Sequence, residues 1–186
     1  DRSPSRGLGD VYKRQSSSRA LRDITNKHNG SYTASAVGEV NVVQMMKDTK
    51  AVIGGEGNGG IIYPELHYGR DSLVGVALFL SHLVEQKTTV SGLRASYPSY
   101  YMSKQKIALT PQIDVDAILE KMAETYKAEE ITTIDGVKID FESNWVHLRK
   151  SNTEPIIRIY TEAVTQDAAD SLANTIIKEI KQIAGL

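Results

Sequence analysis

Apolar positions along the chain alternate between two spacings, one belonging to helices and the other to strands. Ala20, Leu21 and Ile24 have helical spacing, and Asn29-Gly30 ends that run with a turn. Ser31 to Ala36 reads as a short strand, and Val40, Val43 and Met46 predict a helix ending near Lys47. Ala51-Val52-Ile53 is a short apolar strand that runs directly into a glycine-rich loop, and Ile61-Ile62 is a further strand beyond it. Residues 63–70 read as a surface connection. Asp71 or Ser72 then caps a helix in which Leu73, Val74, Val76, Ala77, Leu78, Phe79, Leu80, Leu83 and Val84 are apolar on nearly every side. A helix without a polar face is expected to be buried against a sheet.

The pattern changes after Val90-Ser91-Gly92, and the domain boundary is expected between residues 92 and 93. Beyond it, Ile107 and Leu109 mark a strand, while Ile118, Leu119, Met122 and Tyr126 share one face of a helix starting near Asp114. Ile131 to Ile134 and Val137 to Phe141 flank Asp135-Gly136, a pair suited to a tight hairpin because both central positions need positive φ. Two more strands, Trp145 to Leu148 and Ile156 to Tyr160, precede a long helix carrying Ala169, Leu172, Ala173, Ile176, Ile177, Ile180 and Ile183, with Thr165 as its cap. The predicted fold class is therefore mixed: an α/β unit over residues 16–92, then an α+β unit over 93–186 with helices on one face of a sheet. Residues 1–15 are rich in Arg, Ser and Gly and carry no periodicity, so a disordered leader foreign to the rest is expected there. A basic arm that touches nucleic acid is the functional alternative.

Charge adds little steering to this picture. With 22 basic and 23 acidic residues, the chain has no net field to draw it to nucleic acid or a membrane surface, so any anion site must be local. There is no cysteine, which excludes disulfides, thiolate metal sites and a cysteine nucleophile, and fits a reducing, cytoplasmic setting. No apolar run is long enough to cross a bilayer. Asn29-Gly30-Ser31 matches a glycosylation pattern, but without a secretory signal it reads as a turn.

Two polar loops carry the candidate chemistry. In Gly54-Gly55-Glu56-Gly57-Asn58-Gly59-Gly60 the glycines Gly55, Gly57 and Gly59 let backbone approach a ligand, while Glu56 offers an acceptor and Asn58 both a donor and an acceptor, as a vicinal diol requires. In Arg149-Lys150-Ser151-Asn152-Thr153-Glu154-Pro155, Arg149 supplies a permanent forked cation, Ser151 and Thr153 supply hydroxyls, and Asn152 supplies an amide. Such a turn suits a phosphate, since hydrogen bonds assisted by charge are the stronger kind. Neither loop is a nucleotide P-loop, because no Gly-Lys-Ser or Gly-Lys-Thr follows a glycine run. His67 and His147 lack a second ligand at metal spacing, and Asp114 and Asp116 suit a helix N-terminus. Tyr97, Tyr100 and Tyr101 read as packing residues, with stacking on a base or sugar as the alternative.

Together, in this order, the two loops resemble the sugar-binding and phosphate-binding loops of the α-D-phosphohexomutases, which include phosphoglucosamine mutases, phosphoglucomutases and phosphomannomutases. The resemblance runs from about Ser16 to the C-terminus. It implies most of the family's α/β third domain followed by its fourth, a small sheet-and-helix domain like the TATA-binding protein. Ala36-Val37-Gly38-Glu39 falls where many members have Lys-Val-Gly-Asp, Asn58 where many have serine, and Gly60 where many have histidine. The resemblance further implies phosphoryl exchange between C1 and C6 of a hexose phosphate through an enzyme phosphoserine, with Mg and a hexose 1,6-bisphosphate as cofactor and intermediate. Glu56 and Asn58 would hold sugar hydroxyls, and Arg149, Ser151, Asn152 and Thr153 the phosphate not being transferred. Neither the family's nucleophilic serine nor its Asp-Gly-Asp-Gly-Asp-Arg magnesium loop occurs in the chain. The expectation is a C-terminal fragment, inactive by itself, with no catalytic or metal residue of its own and with the missing N-terminal domains as its partners. A stand-alone sugar-phosphate sensor is the alternative.

Overall fold

The computed structural model describes residues 17–36, 38–55, 59–110, 113–151 and 154–186, together with the backbone of 11–14. The chain divides into two compact units, residues 1–99 and 100–186.

The first unit contains strands β1 (Val11–Arg14), β2 (Tyr32–Ser35), β3 (Ile53–Gly55) and β4 (Ile61–Ile62), in the order β2-β1-β3-β4. β1 is parallel to both neighbours, and β4 closes the edge antiparallel to β3. The strand at Val11–Arg14 corrects the expectation of a leader extending to residue 15. Its four residues are too few for periodicity to stand out beside Ser, Arg and Gly, and the pairing is made by backbone groups of two flanking strands. Between strands run α1 (Ala20–Lys27) and α2 (Glu39–Thr49). Val42 and Met46 of α2 pack with Ala51 and Ile62 into a small core. Gly54 lies under Met46, and a Cβ there would come within 2.2 Å of its sulfur, so glycine sets the closeness of helix and sheet.

Helix α3 (Ser72–Glu85) is capped by Asp71, whose Oδ1 accepts from the backbone N–H of Leu73 at 2.9 Å and of Val74 at 3.0 Å. Ile62 points towards α2, while the adjacent Ile61 meets Gly75 of α3, so the two helices lie on opposite faces. The apolar pattern predicts a buried α3, and the structure contradicts this. No residue of α3 is buried, with Leu73 80% and Val84 76% exposed and Val76 and Leu80 on the same outward stripe. Being apolar on every side, the helix gives no sign in sequence of which face meets the sheet, and that face is built around the small Gly75. Leu80→Glu is therefore expected to change the stability of the chain by less than about 0.5 kcal/mol, against about 2–5 kcal/mol for Met46→Ala. Urea unfolding of the two variants checks the contrast, and an equal loss in both would refute the exposure of α3.

A short helix α4 (Val90–Ala95), capped by Thr89, crosses the boundary expected between residues 92 and 93. It buries only Leu93, too little for a periodic signal. The second unit is a five-stranded antiparallel sheet ordered β5-β9-β8-β7-β6, made of β5 (Tyr101–Ala108), β6 (Glu130–Thr132), β7 (Val137–Asp140), β8 (Trp145–Lys150) and β9 (Ile156–Ala163). Helix α5 (Val115–Thr125) is capped by Asp114, and α6 (Gln166–Ala184) by Thr165. Both lie on one face of the sheet, where Ile107, Ile118, Met122, Ile139, Leu148 and Ile176 belong to one core. This is the α/β then α+β arrangement that the apolar spacing predicts.

Candidate functional site

Each loop leaves the end of a strand. The glycine loop follows β3, and its described parts are Gly54, Gly55, Gly59 and Gly60. A Cβ on Gly55 would come within 2.4 Å of the Gly60 carbonyl oxygen, so the two ends of the loop touch through bare backbone. Gly59 has φ 91, a conformation that favours glycine. Beside them lies a cleft of about 600 Å³ lined by Glu39, Gly59, Gly60, Gly69, Arg70 and Ser72. Arg70 Nε and Glu39 Oε2 pair across it at 2.9 Å. Sequence reasoning does not find that pair, because nothing local links the start of α2 to the residue before the α3 cap. Glu56, Gly57 and Asn58 lie outside the described residues.

The second loop joins β8 to β9. Its closure is visible at Ser151, which is buried and whose N–H donates to the Ile156 carbonyl at 3.1 Å. Asn152 and Thr153 lie outside the described residues. Lys150 turns away to Asp116 of α5, with Nζ 2.6 Å from Oδ2. Asp114 and Asp116 thus serve the start of α5, as expected.

Arg149 is the best-defined member of this loop. In register it sits opposite Arg158, which sits opposite Lys106, so one rung across β8, β9 and β5 carries three cations. Like charges placed directly opposite destabilise a sheet, so an anion bound there would relieve the rung. Lys106 and Arg158 also line a groove of about 510 Å³ with Lys104, Glu154, Ile156 and Tyr160. Arg149 Nη2 lies 2.9 Å from Asp135 Oδ2. The contact is an ion pair without hydrogen-bond alignment, and Arg149 Nε is buried with no hydrogen-bond partner among the described residues. A buried charged donor with spare capacity is costly unless something completes it.

His147 lies two residues before Arg149 and is fully buried. Its Nε2–H donates to the Asp135 carbonyl at 2.6 Å. Burial pushes its pKa down to about 4, aided by the positive charge of Arg149, so the ring is neutral at pH 7. His67 is exposed and pairs with Asp71 at 3.2 Å. Among the described residues, no group of three or more His, Asp or Glu side chains is placed to hold a metal ion. No described helix is long and apolar enough to cross a membrane.

Residues 2–101 match the model of phosphoglucomutase/phosphomannomutase alpha/beta/alpha domain III, and residues 105–179 match the C-terminal domain of the same family. The chain belongs to the phosphoglucomutase/phosphomannomutase family. A phosphoglucosamine/phosphogalactosamine mutase of Sulfurisphaera tokodaii is 36% identical over 89% of the chain, which covers 37% of that protein. A phosphoglucomutase/phosphomannomutase of Thermococcus kodakarensis is 34% identical over 89% of the chain and 36% of its own length. The chain thus spans less than two-fifths of either relative. A phosphoglucomutase/phosphomannomutase family protein of Burkholderia thailandensis has the same fold, with TM-score 0.74 and 21% identity, over 95% of this chain and 38% of that one. An N-acetylphosphoglucosamine mutase of Aspergillus fumigatus, solved with GlcNAc-6P and magnesium, matches at TM-score 0.63 and 13% identity, over 93% of this chain and 41% of that one.

Proposed function

We propose that the chain is the substrate-recognition half of a phosphohexomutase that moves a phosphoryl group between C1 and C6 of a hexose phosphate. Glucosamine 6-phosphate to glucosamine 1-phosphate is the preferred reaction. In this reading Glu56 and Asn58 hold sugar hydroxyls, with Gly55, Gly57 and Gly59 bringing backbone close. Arg149, Ser151, Asn152 and Thr153 clamp the phosphate that stays in place. The observation that carries the reading is Arg149, a cation in a like-charged rung whose buried Nε has no hydrogen-bond partner among the described residues. A clamp of this kind acts by orientation and by charge, which is what phosphoryl transfer requires of its protein.

The nucleophilic serine, the magnesium ion and its ligands are assigned to the rest of the parent enzyme. Among the described residues no group of three or more His, Asp or Glu side chains is placed to hold that ion. A hexose 1,6-bisphosphate would be the turnover intermediate. The family membership sets this reading above a free-standing sensor, since relatives named as mutases continue well beyond the matched region. The Thermococcus kodakarensis relative gives weight to a second substrate reading, glucose or mannose phosphate.

Assays of the full-length enzyme with glucosamine, glucose and mannose 6-phosphates test the reading. A kcat/KM highest for glucosamine 6-phosphate is expected, and turnover of none of the three would overturn it. Arg149→Ala in that enzyme is expected to weaken sugar-phosphate binding by about 1–3 kcal/mol, the scale of a lost charged hydrogen bond. Calorimetric titration would measure this, and an unchanged affinity in a folded variant would remove Arg149 from the clamp.

A further inference from the structure

The turn between β6 and β7 touches the start of the phosphate loop more closely than a connecting turn requires. Gly136 has φ 79 and packs so tightly on β8 that an added Cβ would lie 2.2 Å from the Leu148 carbonyl oxygen and 3.2 Å from Arg149 Cα. Val137 pairs with Leu148, which fixes Gly136 beside Arg149. The Asp135 carbonyl is held in turn by the Nε2–H of the buried His147. Backbone packing on one side and a ring hydrogen bond on the other leave the Asp135 carboxylate aimed at the Arg149 guanidinium, 2.9 Å from Nη2.

The character of that contact decides its meaning. In a turn an Asp side chain ordinarily accepts from the backbone two residues on or faces water. Here Asp135 Oδ2 is buried with no hydrogen-bond partner among the described residues, and it lies 2.9 Å from Arg149 Nη2. An aligned, two-point Asp–Arg pair would consume the arginine's donors. The contact observed instead holds one end of the guanidinium by charge and leaves the buried Nε without a hydrogen-bond partner among the described residues.

We propose that Asp135 is a positioning residue for the phosphate clamp: seated by Gly136 and His147, its carboxylate fixes the direction in which Arg149 presents its free edge to the phosphate of the substrate. Without the carboxylate the arginine swings towards solvent and must be ordered again at each binding event. The inference rests on the clamp reading above, and its test separates the two. In the full-length enzyme, Arg149→Ala, Asp135→Asn and the double variant are compared by steady-state kinetics. Asp135→Asn is expected to raise KM about tenfold with kcat little changed, the pattern of lost uniform binding. Because both residues act through one contact, the double variant is expected to match Arg149→Ala alone.

If Arg149→Ala leaves KM at the wild-type value, the clamp reading itself falls. If Arg149→Ala raises KM while Asp135→Asn does not, or if the two effects multiply, the positioning role is overturned and the clamp stands. Asp135→Glu keeps the charge but displaces it by one methylene, which guards against a folding defect in Asp135→Asn. It is expected to raise KM severalfold at an unchanged melting temperature, and a wild-type KM in this variant would also overturn the proposal.

Discussion

Trp145→Ala is expected to destabilise the second unit by about 3–5 kcal/mol, the range for deleting a buried aromatic side chain. The reason lies in the alternation along β8. Val146 and Leu148 point into the core under α5 and α6, so Trp145 and His147 point to the other face of the sheet. All four are nevertheless fully buried. Trp145 is enclosed by polar groups: its Nε1–H donates to Glu162 Oε1 at 2.9 Å, and Lys138 Nζ lies 5.2 Å from the ring centroid. Lys138 is held in turn by Asp140. Alanine would leave a cavity and strip one hydrogen bond from a carboxylate that is 1% exposed. Trp145→Phe keeps most of the volume, so its cost should be the smaller one of the lost N–H contact, about 1–3 kcal/mol. Urea unfolding followed by far-ultraviolet circular dichroism separates the two variants. A loss below about 1 kcal/mol for alanine would mean that the outer face is not packed as described. The strand rooted by Trp145 carries Arg149 at its other end, so the alanine variant should also loosen the clamp.

Much of this arrangement is legible in the order of the amino acids. Caps at Asp71, Asp114 and Thr165 all fall where short polar residues precede an apolar helical run. A turn does fall at Asp135-Gly136, but the tight hairpin expected there is corrected: only Gly136 has positive φ, at 79, and β6 and β7 already part at Thr132 and Lys138, so the connection is wider than two residues. Arg149 can be nominated for its chemistry alone. Its partner cannot, because Asp135 reaches Arg149 only through the register of β7 on β8, and register is a property of the pair of strands. For the same reason the opposed cations Lys106, Arg158 and Arg149 do not stand out in sequence and become a rung only in the sheet. The burial of α3 fails as an expectation because periodicity reports a face only when polar residues mark the opposite one. Val11–Arg14 and Val90–Ala95 escape the pattern because four and six residues are shorter than the windows in which spacing can be read.

The stability of the second unit should fall as pH drops from about 6.5 to about 4, and His147 should be responsible for much of the fall. The folded chain holds this ring at a pKa of about 4 against an ordinary value of 6.5, with burial as the main cause and the charge of Arg149 adding to it. Between those two values the unfolded chain takes up a proton that the folded chain refuses. The contribution is therefore complete above about pH 6.5, declines below it, and is gone near pH 4, amounting to about 3 kcal/mol at the limit. His147→Gln retains an N–H donor for the Asp135 carbonyl and has no charge to gain. Unfolding free energies measured between pH 4 and pH 7 should slope less in this variant than in the wild type. Carboxylates that titrate in the same window, or below it like Asp170, whose pKa is lowered by hydrogen bonds from Ser103 and Gln166, act alike in both proteins and cancel in the comparison. Parallel curves would assign the acid sensitivity elsewhere. If the curves diverge, protonation of His147 adds a positive charge beside Arg149 and Lys138, so acid would disturb first the strand on which the phosphate loop is mounted.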